Sequence, residues 1–594
     1  MLSYPLVAAG FFFLFLLFAF VPGGVSGASD LLHGPDDMMR VLQVLDFDGQ
    51  GWHDTVQRRL DPPAGVAMHW SRLSDLPLAA AIGALQPFAG RGGAVYLAVL
   101  LVPAILGGVF AAVFVWAAAP LAGRLPVLVP VLMMGALILP IQQLLPGRVD
   151  HHGLQLVLAM LACGFLVRAT ISENAFWALW IGVVGGLCLA IGIEALPLVG
   201  AVTIALGLVW AVRGGATASL LLAFGAALWV TVLVLLPVIQ PPSRWTAITC
   251  DQMSVVHLAL AGIVLVAGAV AYTFEYLTRD LTWLGRLAIV GGAGSLGLGA
   301  IVAAFPECAG GPYANLPEEI MYWFRTVSEA QPLLVFARRN PGPAMAYVIL
   351  PLVAFGYSAW QSLRTNNASR PLWLTLCVLV GTGLALTFSQ VRGLGYAGLF
   401  AGLALVPLAA AINRRADRAD GVLVRVGLRV SLPLLALIAV FACFNIFPSS
   451  KGGHVAQRRA VCDVRQAAAA LNDPKGLGAS PLTIAAPIYV GPTLLFLTGH
   501  SVLAGPYHRN VGGLADNRRI FAGSEKESLE TIERRNVKAI LFCTEFARLS
   551  RYGDRLPFLS ARLTAGDPPG WLAPVMVGKG FGLYSVRPGA GRRP

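Results

Sequence analysis

The stretch AFWALWIGVVGGLCLAIGIEALPLVGAVTIALGLVWAV, residues 175–212, decides the fold class of this chain, because Glu194 is its only charged residue. A helix that crosses a lipid bilayer needs roughly 20 mainly apolar residues. The stretch is long enough for two such helices, one on each side of Glu194. It therefore predicts a pair of membrane-spanning helices.

Similar apolar runs continue on both sides of this stretch. The chain of 594 residues is 57% hydrophobic and 12% charged, with a mean hydropathy of +0.71. A soluble fold could not bury that much apolar surface. We predict an α-helical polytopic membrane protein of about thirteen spans, with runs centred near residues 13, 105, 136, 160, 182, 203, 228, 266, 296, 352, 380, 404 and 438.

The distribution of basic residues predicts the orientation of these spans. The formal net charge is +13, but most Arg residues lie in short segments between apolar runs, so we expect no nucleic-acid partner. Cytoplasmic loops carry an excess of Lys and Arg. An N-terminus in the cytoplasm places one set of basic residues inside: Arg124, Arg168, Arg213, Arg279, Arg286, Arg364, Arg370, Arg414, Arg415, Arg418 and Arg425.

This orientation predicts a multi-pass protein of the inner or plasma membrane whose C-terminal domain is periplasmic or otherwise extracytoplasmic. The first apolar run, residues 5–22, could alternatively be a cleaved signal peptide, which would leave the orientation of the following spans unchanged.

The eight cysteines divide between apolar runs and predicted outer segments. A lone Cys inside an apolar run behaves as a small buried hydrophobe. Disulfides form in oxidising compartments, so the four cysteines of the outer segments are candidates for pairing. We predict the disulfides Cys250–Cys308 and Cys462–Cys543.

The chain divides into two predicted domains. Residues 1–448 form the membrane domain, with large external loops at 23–90 and 305–342, and residues 449–594 form a soluble α/β domain. In the latter we predict a helix at 459–472, strands near 482–487, 501–505 and 538–543, and a charged helix that begins with the capping box Ser524 and Glu527 and runs to about Arg535.

Polar motifs in the first predicted outer loop are candidates for a site. Pro35-Asp36-Asp37-Met38-Met39-Arg40 places two carboxylates after the first span, and an ordinary helix cap with a surface ion pair is the simpler interpretation. Arg72, in His69-Trp70-Ser71-Arg72, could bind a sugar or phosphate. It could equally belong to loop packing.

Three further motifs are predicted on the same side of the membrane. Asp150-His151-His152 lies in a turn between two spans, where Asp and His could share one divalent cation. Glu329 lies in a long loop, and a solvated loop Glu is the alternative. Charges inside a bilayer are costly and usually functional. Arg392 is therefore a candidate for binding a phosphate or diphosphate, and Glu194 either functions or only accepts hydrogen bonds from neighbouring helices.

Together these motifs resemble the catalytic subunit of oligosaccharyltransferase, in its archaeal or bacterial form, a membrane glycosyltransferase of the GT-C class. The first-loop acidic motif is similar to Asp36-Asp37 followed by Arg40. The Asp-His-His motif is similar to Asp150-His151-His152. The family's Ser-Val-Ser-Glu segment resembles Thr326-Val327-Ser328-Glu329, and its membrane Arg resembles Arg392.

The resemblance implies roles for these residues. Asp36, Asp37 and Glu329 are expected to be catalytic. Arg392, and from its loop Arg72, are expected to bind the donor phosphate. The metal ligands are expected to be Asp36 or Asp37 with Asp150 and His152, holding Mg²⁺ or Mn²⁺. The donor is expected to be a polyprenyl-linked saccharide within the membrane lipid, and the acceptor a protein, a lipid or a polysaccharide.

One departure from the family leaves the acceptor open. The family recognises its acceptor with a Trp-Trp-Asp motif, whereas residues 487–492 are Pro-Ile-Tyr-Val-Gly-Pro here. A GT-C transferase that moves one monosaccharide onto a lipid or surface polysaccharide is therefore an alternative. A transporter or flippase of lipid-linked saccharides is the alternative from another class, although transporters usually carry internal repeats and none is visible here.

Overall fold

In a bilayer every backbone polar group must be satisfied within the segment itself, so apolar runs of this length form helices. The computed structural model is mostly helical and describes the following residues: 3–20, 27–49, 51–124, 127–134, 137, 141–278, 280–313, 316–324, 327–366, 368–447, 462–473, 481–544, 558–578 and 580–588.

The helices of these residues are numbered along the chain. They are α1 (Tyr4–Phe20), α2 (Ala28–Leu31), α3 (Pro35–Leu45), α4 (Arg72–Ala118), α5 (Leu128–Met133), α6 (His152–Ser172), α7 (Ala175–Ile191), α8 (Leu196–Arg213), α9 (Ala218–Ile239), α10 (Val255–Leu277), α11 (Trp283–Ala304), α12 (Glu318–Phe324), α13 (Leu333–Arg339), α14 (Pro341–Arg364), α15 (Arg370–Ser389), α16 (Leu394–Ala416), α17 (Val422–Ile446), α18 (Val464–Leu471), α19 (Gly491–Leu497), α20 (Val511–Ala522), α21 (Glu525–Arg534) and α22 (Phe558–Thr564).

Ten helices of the described residues are long and apolar enough to cross a membrane, and α1 and α7 contain shorter apolar helices. These twelve coincide with twelve of the thirteen predicted runs. The run near residue 136 contains the short helix α5, and several of its residues lie outside the described ranges. The predicted helical membrane fold is therefore confirmed.

The described chain forms two compact units. The first contains Met1–Ser26, Trp70–Asn315 and Arg325–Gly453, and the second contains Gly27–His69, Leu316–Phe324 and His454–Pro594. The prediction placed residues 27–69 in the membrane domain, whereas the structure groups them with the C-terminal domain.

Helices of the first unit pack through small residues. A Cβ atom at Gly225 on α9 would lie 2.7 Å from the Cα of Leu265 on α10, and one at Gly268 on α10 would lie 2.7 Å from the Cα of Leu222. Membrane helices associate by such close backbone approach, because lipid offers no hydrophobic driving force between them. The two glycines therefore allow the close packing of α9 against α10.

The second unit is built on a five-stranded sheet. Its strands are β3 (Thr483–Ala485), β4 (Ser501–Val502), β5 (Val537–Cys543), β6 (Leu572–Gly578) and β7 (Phe581–Val586), and a separate two-stranded pair joins β1 (Val56–Gln57) and β2 (Val66–Ala67). The sheet order is β4-β3-β5-β7-β6. β3 pairs in parallel with β4 and β5, while β7 pairs antiparallel with β5 and β6.

This unit matches the predicted α/β pattern closely. Strands β3, β4 and β5 fall within or beside the three predicted strand regions, and α18 covers part of the predicted helix at 459–472. Ser524 and Glu527 form the predicted capping box at the start of α21. The sequence analysis did not predict β6 and β7.

The segment 27–69 is attached to this sheet through its backbone and through Asp61. Leu60 forms a parallel bridge with Val502 of the edge strand β4. The carboxylate of Asp61 accepts hydrogen bonds from Asn510 Nδ2 at 3.1 Å and from the backbone N–H of Gly513 at 2.8 Å. It also forms an ion pair with Arg535. These long-range contacts explain why the segment belongs to the second unit.

Both predicted cysteine pairs are disulfides in the structure. Cys250 and Cys308 join two segments of the first unit, with Cα atoms 5.3 Å apart. Cys462 and Cys543 join the start of α18 to the end of β5 in the second unit, with Cα atoms 5.5 Å apart. Each disulfide lies within one unit.

Candidate functional site

The turn before α6 brings a carboxylate and two imidazoles together. Asp150 Oδ1 accepts a hydrogen bond from the backbone N–H of His151 at 2.7 Å and lies 2.6 Å from His151 Nδ1. Asp150 Oδ2 lies 3.5 Å from His152 Nε2. One possible ligand atom from each of these residues lies within 4.8 Å of the others. The turn can therefore hold a metal ion.

Glu194 joins this cluster from the short connection between α7 and α8. Its Oε2 atom lies 3.5 Å from His151 Nε2. The neighbouring Gly192 has no room for a side chain, because a Cβ atom there would lie 2.5 Å from Glu194 Oε2. The backbone oxygen of Gly192 also accepts a hydrogen bond from Gln155 Nε2 at 2.8 Å. The connection between α7 and α8 thus places Glu194 and the backbone oxygen of Gly192 against the start of α6.

His151 lies between two carboxylates. Burial by itself lowers the pKa of His151, but Asp150 and Glu194 outweigh burial and raise this pKa to about 10. Both ring nitrogens of His151 thus face carboxylate oxygens, which leaves Asp150 and His152 as the better placed ligands. A carboxylate that binds a metal is usually oriented by a hydrogen bond from a neighbouring residue, and His151 makes such a contact with Asp150. The sequence analysis gave His151 no role and singled out Glu194 as an isolated charge, but nothing in the sequence pointed to the contact between them.

Arg392 lies in a single 3-10 turn, Val391–Gly393, that precedes α16. Its Nη2 atom lies 3.8 Å from Glu329 Oε1, and its guanidinium carbon lies 5.8 Å from the ring centre of Tyr313. The backbone N–H of Val391 donates to the carbonyl oxygen of Gln331 at 2.9 Å, so the turn is tied to the loop that carries Glu329. Arg392 Nε is buried and has no hydrogen-bond partner among the described residues. It is a donor that a bound anion could satisfy.

Two residues of the cluster, His152 and Glu194, border one cavity of about 410 Å³ in the first unit together with Arg392. One part of its wall is polar and is formed by His152, Glu194, His257, Tyr313, Gln390 and Arg392. The other part is apolar and comes mainly from α11, with Leu298, Ile301 and Val302, and from Phe305 just after this helix. The side chains of Leu298 and Val302 are 57% and 46% exposed, so this wall continues onto the apolar outer surface of the bundle. The cavity can therefore accept a molecule with an anionic head and an apolar chain.

The structure brings some of the predicted site residues together and not others. His152 and Arg392 line the cavity, Asp150 adjoins His152, and Glu329 faces Arg392 from a side chain that is 59% exposed. Thr326, the first residue of the predicted loop motif, lies outside the described residues.

The three predicted first-loop residues lie on α3 and α4. Asp36 and Asp37 occupy the first turn of α3, which belongs to the second unit. Arg72 begins α4 in the first unit, where it is buried and lies 3.4 Å from Asp75. Arg72 is not among the described residues that line the large cavity. Two residues further on, Ser74 borders a small cavity of about 20 Å³ together with Asp150 and His151.

The donor atoms fit a divalent cation. Asp150 offers a carboxylate oxygen and His152 an imidazole nitrogen, a mixed oxygen and nitrogen set that suits Mn²⁺ or Zn²⁺ better than Mg²⁺, which prefers oxygen alone. Their proximity is consistent with the predicted metal site.

No protein-family model matches the sequence, and no curated protein matches it. Solved structures match in fold. The archaeal oligosaccharyltransferase AglB from Archaeoglobus fulgidus, in complex with an inhibitory peptide and a dolichol-phosphate, superposes with a TM-score of 0.66 at 14% identity and covers 91% of this chain and 69% of its own.

Two further structures of the Archaeoglobus fulgidus oligosaccharyltransferase agree. The form tethered to an acceptor peptide with the NVT sequon has a TM-score of 0.63 at 13% identity, covering 91% of this chain and 69% of its own. The complex with Zn and sulfate has a TM-score of 0.60 at 14% identity, covering 92% and 68%. The chain therefore shares the fold of these membrane proteins. More particularly, it has the fold of the archaeal oligosaccharyltransferase, as the resemblance implied.

Proposed function

We propose that this protein is a membrane glycosyltransferase. It transfers a sugar or oligosaccharide from a polyprenyl-phosphate or polyprenyl-diphosphate donor to an acceptor at the external face of an inner or plasma membrane. One observation carries the proposal: a single cavity is lined by His152 and Glu194, by Arg392 and by an apolar wall along α11, and Asp150 adjoins His152 beside it.

The cavity suits each part of such a donor. The polyprenyl chain lies along Leu298 and Val302, whose exposed side chains already face the apolar surroundings of the bundle. The phosphate binds Arg392, because a planar guanidinium pairs with phosphate oxygens through two parallel hydrogen bonds. The dolichol-phosphate complex of the structurally similar archaeal enzyme supports this class of donor. Arg72 was also predicted to bind the phosphate, and this role stays a prediction.

Asp150 and His152 would hold a divalent cation, which when bound supplies positive charge to the phosphate leaving group. Of the two predicted ions, Mn²⁺ suits this oxygen and nitrogen pair better than Mg²⁺. His151 orients Asp150 through its hydrogen bonds to that carboxylate, while its other ring nitrogen faces Glu194. Asp36 and Asp37, at the N-terminus of α3, remain proposed as the further metal ligand and as a catalytic carboxylate. The zinc complex of the similar archaeal enzyme supports a metal in this fold.

In the transfer step a nucleophilic atom of the acceptor forms a bond to the anomeric carbon of the sugar. The bond between that carbon and the phosphate oxygen breaks, and the polyprenyl phosphate or diphosphate leaves with the electron pair. The acceptor's proton passes to a carboxylate, for which Glu329 and the first-turn pair of α3 are the candidates. Arg392 stabilises the negative charge that develops on the leaving group.

Incubation of the purified protein with a lipid extract that contains polyprenyl-linked sugars tests the proposal. Asp150→Asn and Glu329→Gln should each abolish transfer without loss of folded protein, and a chelator should abolish wild-type transfer. Glu530→Gln is a matched control, because Glu530 is 64% exposed in an ion pair on α21, while Glu329 is 59% exposed. Full activity in both site variants would refute the site assignment.

A second candidate differs only in the acceptor. The family's Trp-Trp-Asp motif is absent, and residues 487–490 lead instead into the short helix α19. This difference favours a monosaccharide transferase that acts on a lipid or surface polysaccharide. Following a radiolabelled sugar from the lipid-linked donor separates the two candidates, since the label ends either on protein or on glycolipid. A flippase would leave the sugar attached to its polyprenyl carrier.

A further inference from the structure

His257 lies in the polar part of the cavity wall, and neither the motifs nor the proposed function gives it a role. It lies in the first turn of α10, its side chain is 3% exposed, and it lines the same cavity as Arg392 and Tyr313. A buried histidine with only one ring nitrogen hydrogen-bonded within the protein is unusual, since buried polar groups are normally hydrogen-bonded.

One ring nitrogen of His257 is hydrogen-bonded within the protein. The backbone N–H of Ser254 donates to His257 Nδ1 at 3.2 Å. An imidazole that accepts at Nδ1 carries its proton on Nε2 when it is neutral. No described residue forms a hydrogen bond with Nε2. Because His257 is buried in the protein and borders the cavity, its Nε2–H is a donor available to a molecule in that cavity.

The segment before His257 is held firmly. The disulfide Cys250–Cys308 lies in the cavity wall, and the hydroxyl of Ser254 donates to the carbonyl oxygen of Thr249 at 2.6 Å. Gln240 Nε2 donates to the carbonyl oxygen of Met253 at 3.1 Å. The side chain of His257 is thus positioned before any ligand binds. The positive end of the α10 dipole, at this same turn, also favours an anion.

We propose that His257 is a second phosphate-binding residue of the donor site, which donates a neutral hydrogen bond from Nε2 to a phosphate oxygen while Arg392 supplies the charge. This inference deepens the proposed function and rests on it, since it takes the lipid-linked phosphate as the ligand. A charged oxygen is a stronger acceptor for this N–H than a sugar hydroxyl, so the phosphate is the preferred partner.

Direct binding of a synthetic polyprenyl phosphate to the purified full-length protein tests the inference. His257→Leu should weaken this binding at least about 10-fold, because a hydrogen bond to a charged group contributes roughly that factor or more. His257→Gln keeps an N–H donor near the position of Nε2 and should bind within about threefold of wild type. Binding of polyprenol, which lacks the phosphate, should be equal in all three proteins.

His500→Gln is the control for replacing a buried histidine. His500 uses both ring nitrogens within the second unit, since its Nδ1 accepts from the backbone N–H of Leu482 at 3.1 Å and its Nε2 lies 2.9 Å from the carbonyl oxygen of Leu471. The variant should lose thermal stability but keep wild-type affinity for the polyprenyl phosphate.

The other outcomes contradict either the role of His257 or the proposed transferase, and they can be told apart. The inference is overturned if His257→Leu binds the phosphate lipid like wild type. It is also overturned if this variant loses polyprenol affinity equally, because His257 would then only shape the cavity, or if the wild type binds the phosphate lipid no more tightly than polyprenol. Wild-type protein that binds the phosphate lipid but transfers no sugar refutes the proposed transferase and leaves the binding role of His257 supported by the variants.

Discussion

Removing the carboxylate of Asp61 should detach the segment 27–69 from the rest of the second unit. This side chain is 13% exposed and accepts hydrogen bonds from Asn510 and from the backbone of Gly513, in addition to its ion pair with Arg535, whose side chain is 18% exposed. In Asp61→Ala all three partners lose this acceptor, and Arg535 keeps the longer contact of its Nε atom with Asp516 Oδ2 at 3.6 Å. Breaking a buried pair from one side costs about 3–5 kcal/mol.

Backbone conformation adds to this cost. Asp61 has φ +57°, in the left-handed region that Asp and Asn tolerate better than Ala. We therefore expect about 4–6 kcal/mol for Asp61→Ala and roughly half of that for Asp61→Asn, which keeps one oxygen for Gly513 and the same backbone preference. At about 2–4 °C per kcal/mol for a domain of 150–250 residues, the unfolding temperature of the second unit should fall by roughly 10 °C or more in Asp61→Ala.

Tryptic cleavage after Arg58, measured against temperature, reports this change locally, because Arg58 is exposed and adjoins the bridge of Leu60 to β4. Asp567→Ala is the control. Its partner Arg562 and Asp567 itself are 38% and 68% exposed, so that ion pair should contribute less than about 1 kcal/mol. If Asp61→Ala were cleaved at the same temperature as Asp567→Ala, the reasoning about Asp61 would be refuted.

Three further outcomes are expected. Arg392→Gln should raise the donor KM at least about 10-fold in initial-rate assays, because it removes a charge-assisted phosphate contact; an unchanged KM would exclude Arg392 from donor binding. Cys250→Ser should lower the affinity for a polyprenyl phosphate by loosening the cavity wall, as measured in the binding assay above, whereas equal affinity would show that the disulfide does not shape the site. Gly225→Val should lower the unfolding temperature through overpacking of about 1–3 kcal/mol against Leu265, while Gly291→Ala, where a Cβ atom meets nothing within 4 Å, should not; equal melting of the two variants would contradict the close packing of α9 and α10.

Much of the site was accessible from local sequence. The Asp150-His151-His152 turn needs only one short segment, and an Arg such as Arg392 beside an apolar run is conspicuous because charges near lipid are costly. The role of His257 was not accessible in this way. A His in the first turn of an apolar helix carries no local signal, and only the tertiary structure places it on the same cavity as Arg392.

The sequence by itself determined the membrane class, most of the spans, the α/β pattern of the terminal domain and the cysteines that pair, because each follows from hydropathy, periodicity or compartment. Only the tertiary structure decided that Glu194 meets His151, that His257 shares the cavity with Arg392, and that residues 27–69 with Asp36 and Asp37 belong to the second unit. The physical reason is the separation of the contacting residues along the chain. Apolar patterning fixes which residues leave water, whereas contacts such as that of Asp61 with Asn510 join residues far apart in the chain, and their partners are chosen by packing and by hydrogen bonds that form only in the folded protein.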